Sequence, residues 1–99
     1  QDVSLNIGEL TLEVVGESVS LTFTELQLMT VLFRKNGDYA SRQELLDDCW
    51  KNDQFIADNT LAVNITRLRK KCRTLNLPNF IQTKKTVGYA LNEGRVENG

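Results

Sequence analysis

Residues 59–75 read NTLAVNITRLRKKCRTL, and the spacing of their apolar side chains decides how the chain folds. Leu61, Ile65, Leu68, Cys72 and Leu75 recur at steps of four, three, four and three. At about 100° of rotation per residue they fall within about 40° of one line, the buried stripe of an amphipathic helix. The opposite face carries Asn59, Val63, Thr66, Arg67, Lys70 and Thr74, with Asn64 and Lys71 flanking it on one side and Arg69 and Arg73 on the other. Asp58 is placed as the cap, and Asn76 and Pro78 as the stop, so the helix is predicted over about 59–75.

Charge sharpens this reading. The whole chain carries a formal net charge of −1, which by itself argues against nucleic acid. Residues 1–58 hold 4 basic and 11 acidic side chains, whereas 59–92 hold Arg67, Arg69, Lys70, Lys71, Arg73, Lys84 and Lys85 and no acid. Segregation of this kind makes a dipolar molecule whose C-terminal third attracts phosphates. A charge run alone is more often a solvated helix face, so the surrounding elements must decide.

Working outward, Phe80–Thr83 and Tyr89–Leu91 read as two strands around a Lys84–Gly88 turn. Upstream, Thr22-Phe23-Thr24-Glu25 and Ser41-Arg42-Gln43-Glu44 are two capping boxes. Each is flanked by apolar residues at staple spacing, Leu21 with Leu26 and Ala40 with Leu45. They start two helices. The first carries Leu26, Met29, Val31, Leu32 and Phe33 and ends at Asn36-Gly37; the second turns Leu45, Leu46, Cys49 and Trp50 inward. Residues 52–57 lack a period and read as a loop. In the first twenty residues Leu5 and Ile7, then Leu10, Leu12 and Val14, then Val19 and Leu21 alternate with polar residues, with Gly8 and Gly16 between them, which predicts a small antiparallel sheet. The 99 residues suit one domain, 1–99. The fold class is α+β: a winged helix-turn-helix with an N-terminal antiparallel sheet, three helices and a C-terminal β-hairpin wing.

The outward face of the third helix holds the residue types that a major-groove helix uses. Arg and Lys reach guanine acceptors or phosphates, Asn pairs with adenine, and Val or Thr methyls touch thymine. Early positions meet base edges and later ones follow the backbone. Asn59, Val63, Thr66 and Arg67 are therefore assigned to bases, and Arg69, Lys70 and Lys71 to phosphate, with Arg73 too displaced for either. Asn59 fits a cap as well as a base contact, and Val63 is a weak signal by itself. In the wing, residues 83–88, Thr83, Lys84 and Lys85 can reach phosphate or the minor groove, or simply protect an edge strand. Trp50 reads as core, with its indole N–H as an alternative phosphate donor. Gly88 reads as turn geometry.

Four blocks also resemble a known family. They are Leu21-Thr22-Phe23-Thr24-Glu25-Leu26; Ser41-Arg42-Gln43-Glu44-Leu45-Leu46 with Trp50; Asn64-Ile65-Thr66-Arg67-Leu68-Arg69-Lys70-Lys71; and Ile81-Gln82-Thr83 ending in Gly88-Tyr89. In order and spacing they resemble the OmpR/PhoB-type effector domain of two-component response regulators. Asp58-Asn59-Thr60-Leu61 leading into Val63-Asn64 is most similar to Gram-positive regulators of envelope or antimicrobial-peptide stress. The resemblance implies a four-stranded N-terminal sheet, an upstream receiver domain, tandem binding of two protomers to direct-repeat DNA, and contact with RNA polymerase through 51–57, here Asp53, Gln54 and Phe55. It places Trp50, Asn59, Asn64 and Thr66 at phosphate-contacting positions, Arg67 at a base-reading one and Lys85 at a minor-groove one. Three positions depart from the pattern. Thr86 replaces a usual glycine, Ala90 a usual Arg or Lys, and Thr66 a frequent basic residue, so the wing is expected to contribute less than the helix.

Other function classes are poorly served. No histidine is present, and Cys49 and Cys72 have neither metal-ligand nor CxxC spacing. Two reduced, buried thiols are expected, no metal or cofactor, and no enzyme, since a nucleophilic Cys would lack its base. No apolar run is long enough to span a membrane and no signal peptide is evident, which makes the cytoplasm the default location. Gln1 is an unusual natural start, so the chain reads as a piece of a longer one. A winged helix used only for protein contact is the alternative to DNA binding.

Overall fold

The computed structural model describes residues 3–50 and 59–92. Its N-terminal layer is a meander of β1 (Ser4–Asn6), β2 (Thr11–Val14) and β3 (Glu17–Ser20). Leu5 lies opposite Leu12, and Leu12 opposite Val19, so one rung of apolar side chains meets the core. The alternation had placed Ile7 in the same strand as Leu5. Instead β1 stops at Asn6, whose Oδ1 accepts the Glu9 N–H at 3.0 Å, and the turn leaves Ile7 63% exposed. The four-stranded sheet that the resemblance implies is corrected to three strands among the described residues.

Both capping boxes are formed. In α1 (Phe23–Lys35) the Thr22 hydroxyl accepts the Glu25 N–H at 3.1 Å while Glu25 Oε1 accepts the Thr22 N–H at 2.8 Å. The helix ends at Asn36, in the left-handed conformation at φ 51°. In α2 (Arg42–Cys49) Ser41 and Glu44 repeat the exchange at 3.0 and 3.1 Å. Leu21 and Leu26, and Ala40 and Leu45, are buried beside these starts as the staple spacing requires.

The Lys35 ammonium beside Glu44, helped by the Ser41 N–H, holds the Glu44 carboxyl below the usual carboxylate range. A pKa lowered by folding adds stability above the unfolded value and loses it as pH falls through the folded one. Glu44→Gln is therefore expected to lower the urea midpoint slightly at neutral pH, with the difference fading in acid. A difference that grew in acid would contradict this.

Helix α3 (Thr60–Thr74) ends in a Schellman motif. Asn76 takes φ 62°, its N–H donates to Arg73 O at 3.0 Å, and the Leu77 N–H donates to Cys72 O at 2.9 Å. Leu77 is thereby turned inward and fully buried. The chain then forms a hairpin of β4 (Ile81–Lys84) and β5 (Gly88–Leu91). Leu12, Leu28, Met29, Leu32, Leu45, Leu61, Ile65, Leu68 and Phe80 fill the space between the layers, with Phe80 edge-on to Phe33 at 6.3 Å.

Candidate nucleic-acid interface

Packing fixes the orientation of α3. Leu61, Ile65, Leu68, Cys72 and Leu75 are all at most 2% exposed, which leaves one rotation for the helix. Asn59, Val63, Thr66, Arg67, Lys70 and Thr74 are then exposed on the far side. Asn59 occupies the N-cap position but makes no side-chain capping bond, so a capping role is not what occupies its amide. Thr66 Oγ1 donates to Ala62 O at 2.9 Å, and half-buried Asn64 donates to Thr60 O at 2.9 Å. Both side chains lie folded onto the helix. Arg67 and Lys70 extend from it, one turn apart on the exposed surface.

Two of the cations assigned to phosphate have partners within the protein. Lys71 Nζ lies 2.6 Å from Glu25 Oε1 and donates to Ser20 O at 2.8 Å. Glu25 is 1% exposed, so this ammonium neutralises a buried carboxylate at the start of α1. Arg69 turns the other way, donating through Nε and Nη2 to Ile81 O and through Nη2 to Thr83 Oγ1. In this structure Lys71 forms an internal ion pair with Glu25, and Arg69 links α3 to β4. Sequence left a signal for both. They border the buried stripe, where long side chains can fold back into the protein.

The wing is built onto the α1–α2 connection. Ala40 exchanges backbone hydrogen bonds with Tyr89 at 2.8 and 2.9 Å. Gly88 allows this approach, because a Cβ there would lie 2.0 Å from Ala40 O. Turn geometry was the expected reason for this glycine; close backbone contact is the larger one. Lys84 Nζ sits 5.9 Å from the centre of the Tyr39 ring, a cation–π contact that biases its position. Lys85 is exposed at the tip. Arg42, which the sequence reading did not single out, lines a cleft with Lys84 and Lys85 between α2 and the wing. Its place directly after the Ser41 cap was the available signal.

Thr86 keeps the conformation that glycine normally supplies. The Val87 N–H donates to Lys84 O at 2.9 Å, and Thr86, third in this turn, has φ 67°. A β-branched residue is strained there. Thr86→Gly is expected to stabilise the domain by roughly 1 kcal/mol after the entropy cost of glycine. Chemical denaturation measures it, and a destabilised variant would contradict the strain. Ala90, where a basic residue was thought missing, is 1% exposed.

Trp50 caps α2 and packs half-buried against the core. Asp53, Gln54, Phe55 and Asp58 lie outside the described residues. Cys72 is buried and Cys49 half-buried, both free, and burial pushes each thiol up to about 11. Protonated thiols at neutral pH are poor nucleophiles. Among the described residues no cluster of three or more His, Cys, Asp or Glu side chains could hold a metal, and no helix is long and apolar enough to cross a membrane.

Three helices, an N-terminal sheet and a hairpin seated beside the last helix define a winged helix-turn-helix domain. Residues 16–91 match the family described as "Transcriptional regulatory protein, C terminal", and the chain belongs to that family. It is 41% identical over 76 residues to the sensory transduction protein BceR of Bacillus subtilis (strain 168), covering 77% of this chain and 33% of that protein. It is 30% identical over 93 residues to the response regulator protein GraR of Staphylococcus aureus (strain bovine RF122 / ET3-1), covering 94% and 42% respectively. The chain therefore spans less than half the length of these relatives. The C-terminal domain of the nisin resistance regulator NsrR, a lantibiotic response regulator, superposes with a TM-score of 0.78 at 36% identity, covering 92% of this chain and 91% of that one.

Proposed function

We propose that this chain binds double-stranded DNA sequence-specifically to control transcription, with α3 in the major groove and residues 83–88 on the minor groove or backbone. One observation carries the reading. A helix with a completely buried stripe presents Asn59, Val63, Thr66, Arg67 and Lys70 to solvent, beside a projecting hairpin that bears Lys84 and Lys85. The groove needs such a convex, basic element with hydrogen-bonding and methyl groups at its edge. Membership of the transcriptional regulator family supports the same reading.

By this reading Asn59, Val63, Thr66 and Arg67 meet bases, and Asn64, Lys70 and Trp50 meet the backbone. Arg67→Ala is expected to weaken specific binding by about 1–3 kcal/mol and to relax sequence preference. Lys70→Ala should instead weaken all sequences alike and reduce the salt slope by about 1. Fluorescence anisotropy with specific and scrambled duplexes separates the two patterns. Unchanged affinity in both variants would refute the assignment.

The rest extends beyond the chain. Its relatives' names, a sensory transduction protein and a response regulator protein, support an output domain of a response regulator. Phosphorylation control, a receiver domain upstream and a cytoplasmic location are what the family resemblance adds to this proposal. The lantibiotic regulator among the similar structures favours peptide-antibiotic stress as the signal. Two protomers on direct repeats, and RNA polymerase at Asp53, Gln54 and Phe55, complete the proposal. An uncatalytic, cofactor-free role suits high-pKa thiols and a chain without histidine.

A further inference from the structure

We propose that Arg69 is a positioning residue that sets the wing against the recognition helix, rather than a residue that contacts DNA. The inference rests on the DNA-binding reading above and gives one of its basic residues a different task.

In a two-stranded antiparallel hairpin, alternate residues turn their backbone groups outward from the pair. On the β5 side the outward N–H and C=O of Tyr89 are taken by Ala40, at 2.9 and 2.8 Å. On the β4 side Ile81 O accepts from Nε and Nη2 of Arg69, each at 3.3 Å. Thr83 Oγ1, two residues further along the same edge, accepts from Nη2 as well. The hairpin is therefore held on one edge by the α1–α2 connection and on the other by α3. An isolated two-stranded hairpin is marginally stable, so these edge contacts decide how firmly it stands.

The position of the tether matters as much as its existence. Thr83 is the last residue before Lys84 and Lys85, so Arg69 grips the wing where its anchored base becomes the projecting tip. On α3, Arg69 lies between Arg67 and Lys70 in sequence but turns toward β4 instead of solvent. The separation between the groove face and the wing lysines is thereby fixed through one side chain. A planar guanidinium can hold two acceptors along a strand edge; a lysine ammonium, a point charge on a flexible stem, cannot reproduce that fork.

The test uses the intact chain with Arg69→Met, Arg69→Lys, Lys85→Ala, and each Arg69 variant combined with Lys85→Ala. The first readout needs no DNA: 15N relaxation of backbone amides 82–87. Order is expected to fall there in both Arg69 variants while amides of α3 stay unchanged. Unchanged order at 82–87 would overturn the tether. The second readout is the salt dependence of binding to a duplex. Lys85→Ala should lower the slope by about one with Arg69 present, and by clearly less when Arg69 is already replaced. Additive losses would overturn the coupling, as would an Arg69→Lys variant that kept both the full slope and its dependence on Lys85. If the unsubstituted chain bound no duplex, the DNA reading would fail by itself, and the relaxation measurement would still decide the tether.

Discussion

Replacing Gly88 with alanine is expected to cost about 4 kcal/mol. The new Cβ would sit 2.0 Å from Ala40 O and 2.8 Å from Ala40 C, both backbone atoms that no rotamer change can move. Gly88 also has φ 150°, where an L side chain is strained. Relief requires the hairpin to lift away from the α1–α2 connection, which breaks both Ala40–Tyr89 hydrogen bonds. Those groups would then need water in a buried setting, at about 1–3 kcal/mol each. Against a total stability of about 5–15 kcal/mol, such a loss moves the urea midpoint far down. A midpoint shifted by less than the equivalent of about 1 kcal/mol would show that the wing is not docked as described.

Lys71→Met should produce the next largest loss. It leaves the Glu25 carboxylate, 1% exposed, with the Thr22 N–H but without a cation. Breaking a buried pair from one side typically costs about 3–5 kcal/mol. The Lys71 side chain is 29% exposed, so water can partly replace it, and about 3 kcal/mol is the appropriate figure. The double variant Glu25→Gln/Lys71→Met removes the stranded charge and should be more stable than Lys71→Met alone. Equilibrium denaturation of the four proteins gives the coupling directly. Under conditions where Lys71→Met stays folded, its salt slope for DNA should match that of the unsubstituted chain. A lower slope would return Lys71 to the phosphate contacts and refute its internal role.

These two residues show where sequence reasoning reached and where it stopped. The capping boxes at Thr22 and Ser41 were legible because both partners lie within three residues, and local hydrogen bonds need no tertiary knowledge. The α3 stripe was legible because its period alone assigns burial. Lys71 was not, since its partner Glu25 is 46 residues away and had a sufficient local explanation as a capping-box acid. Arg69 was hidden for the same reason, its acceptors lying on the following strand. Ile7 was misplaced because alternation cannot show that the Asn6 side chain closes a turn. Gly88 was noticed, but only the docked hairpin shows that it is backbone proximity, as well as φ, that demands glycine. On the candidate interface, the exposed directions of Val63, Thr66, Arg67 and Lys70 followed from the helical wheel, whereas the division of cations into free and internal ones required the packed neighbours.

The central claim is that the exposed face of α3 meets DNA together with the wing. A titration of the 15N-labelled chain with a duplex selected from random sequence tests it most directly. Shift changes should concentrate at Asn59, Val63, Thr66, Arg67 and Lys70 and at residues 84–87, leaving the exposed apolar side chains Ile7 and Phe23 unperturbed. Perturbations gathered around Ile7 and Phe23, with residues 63–70 silent, would contradict it.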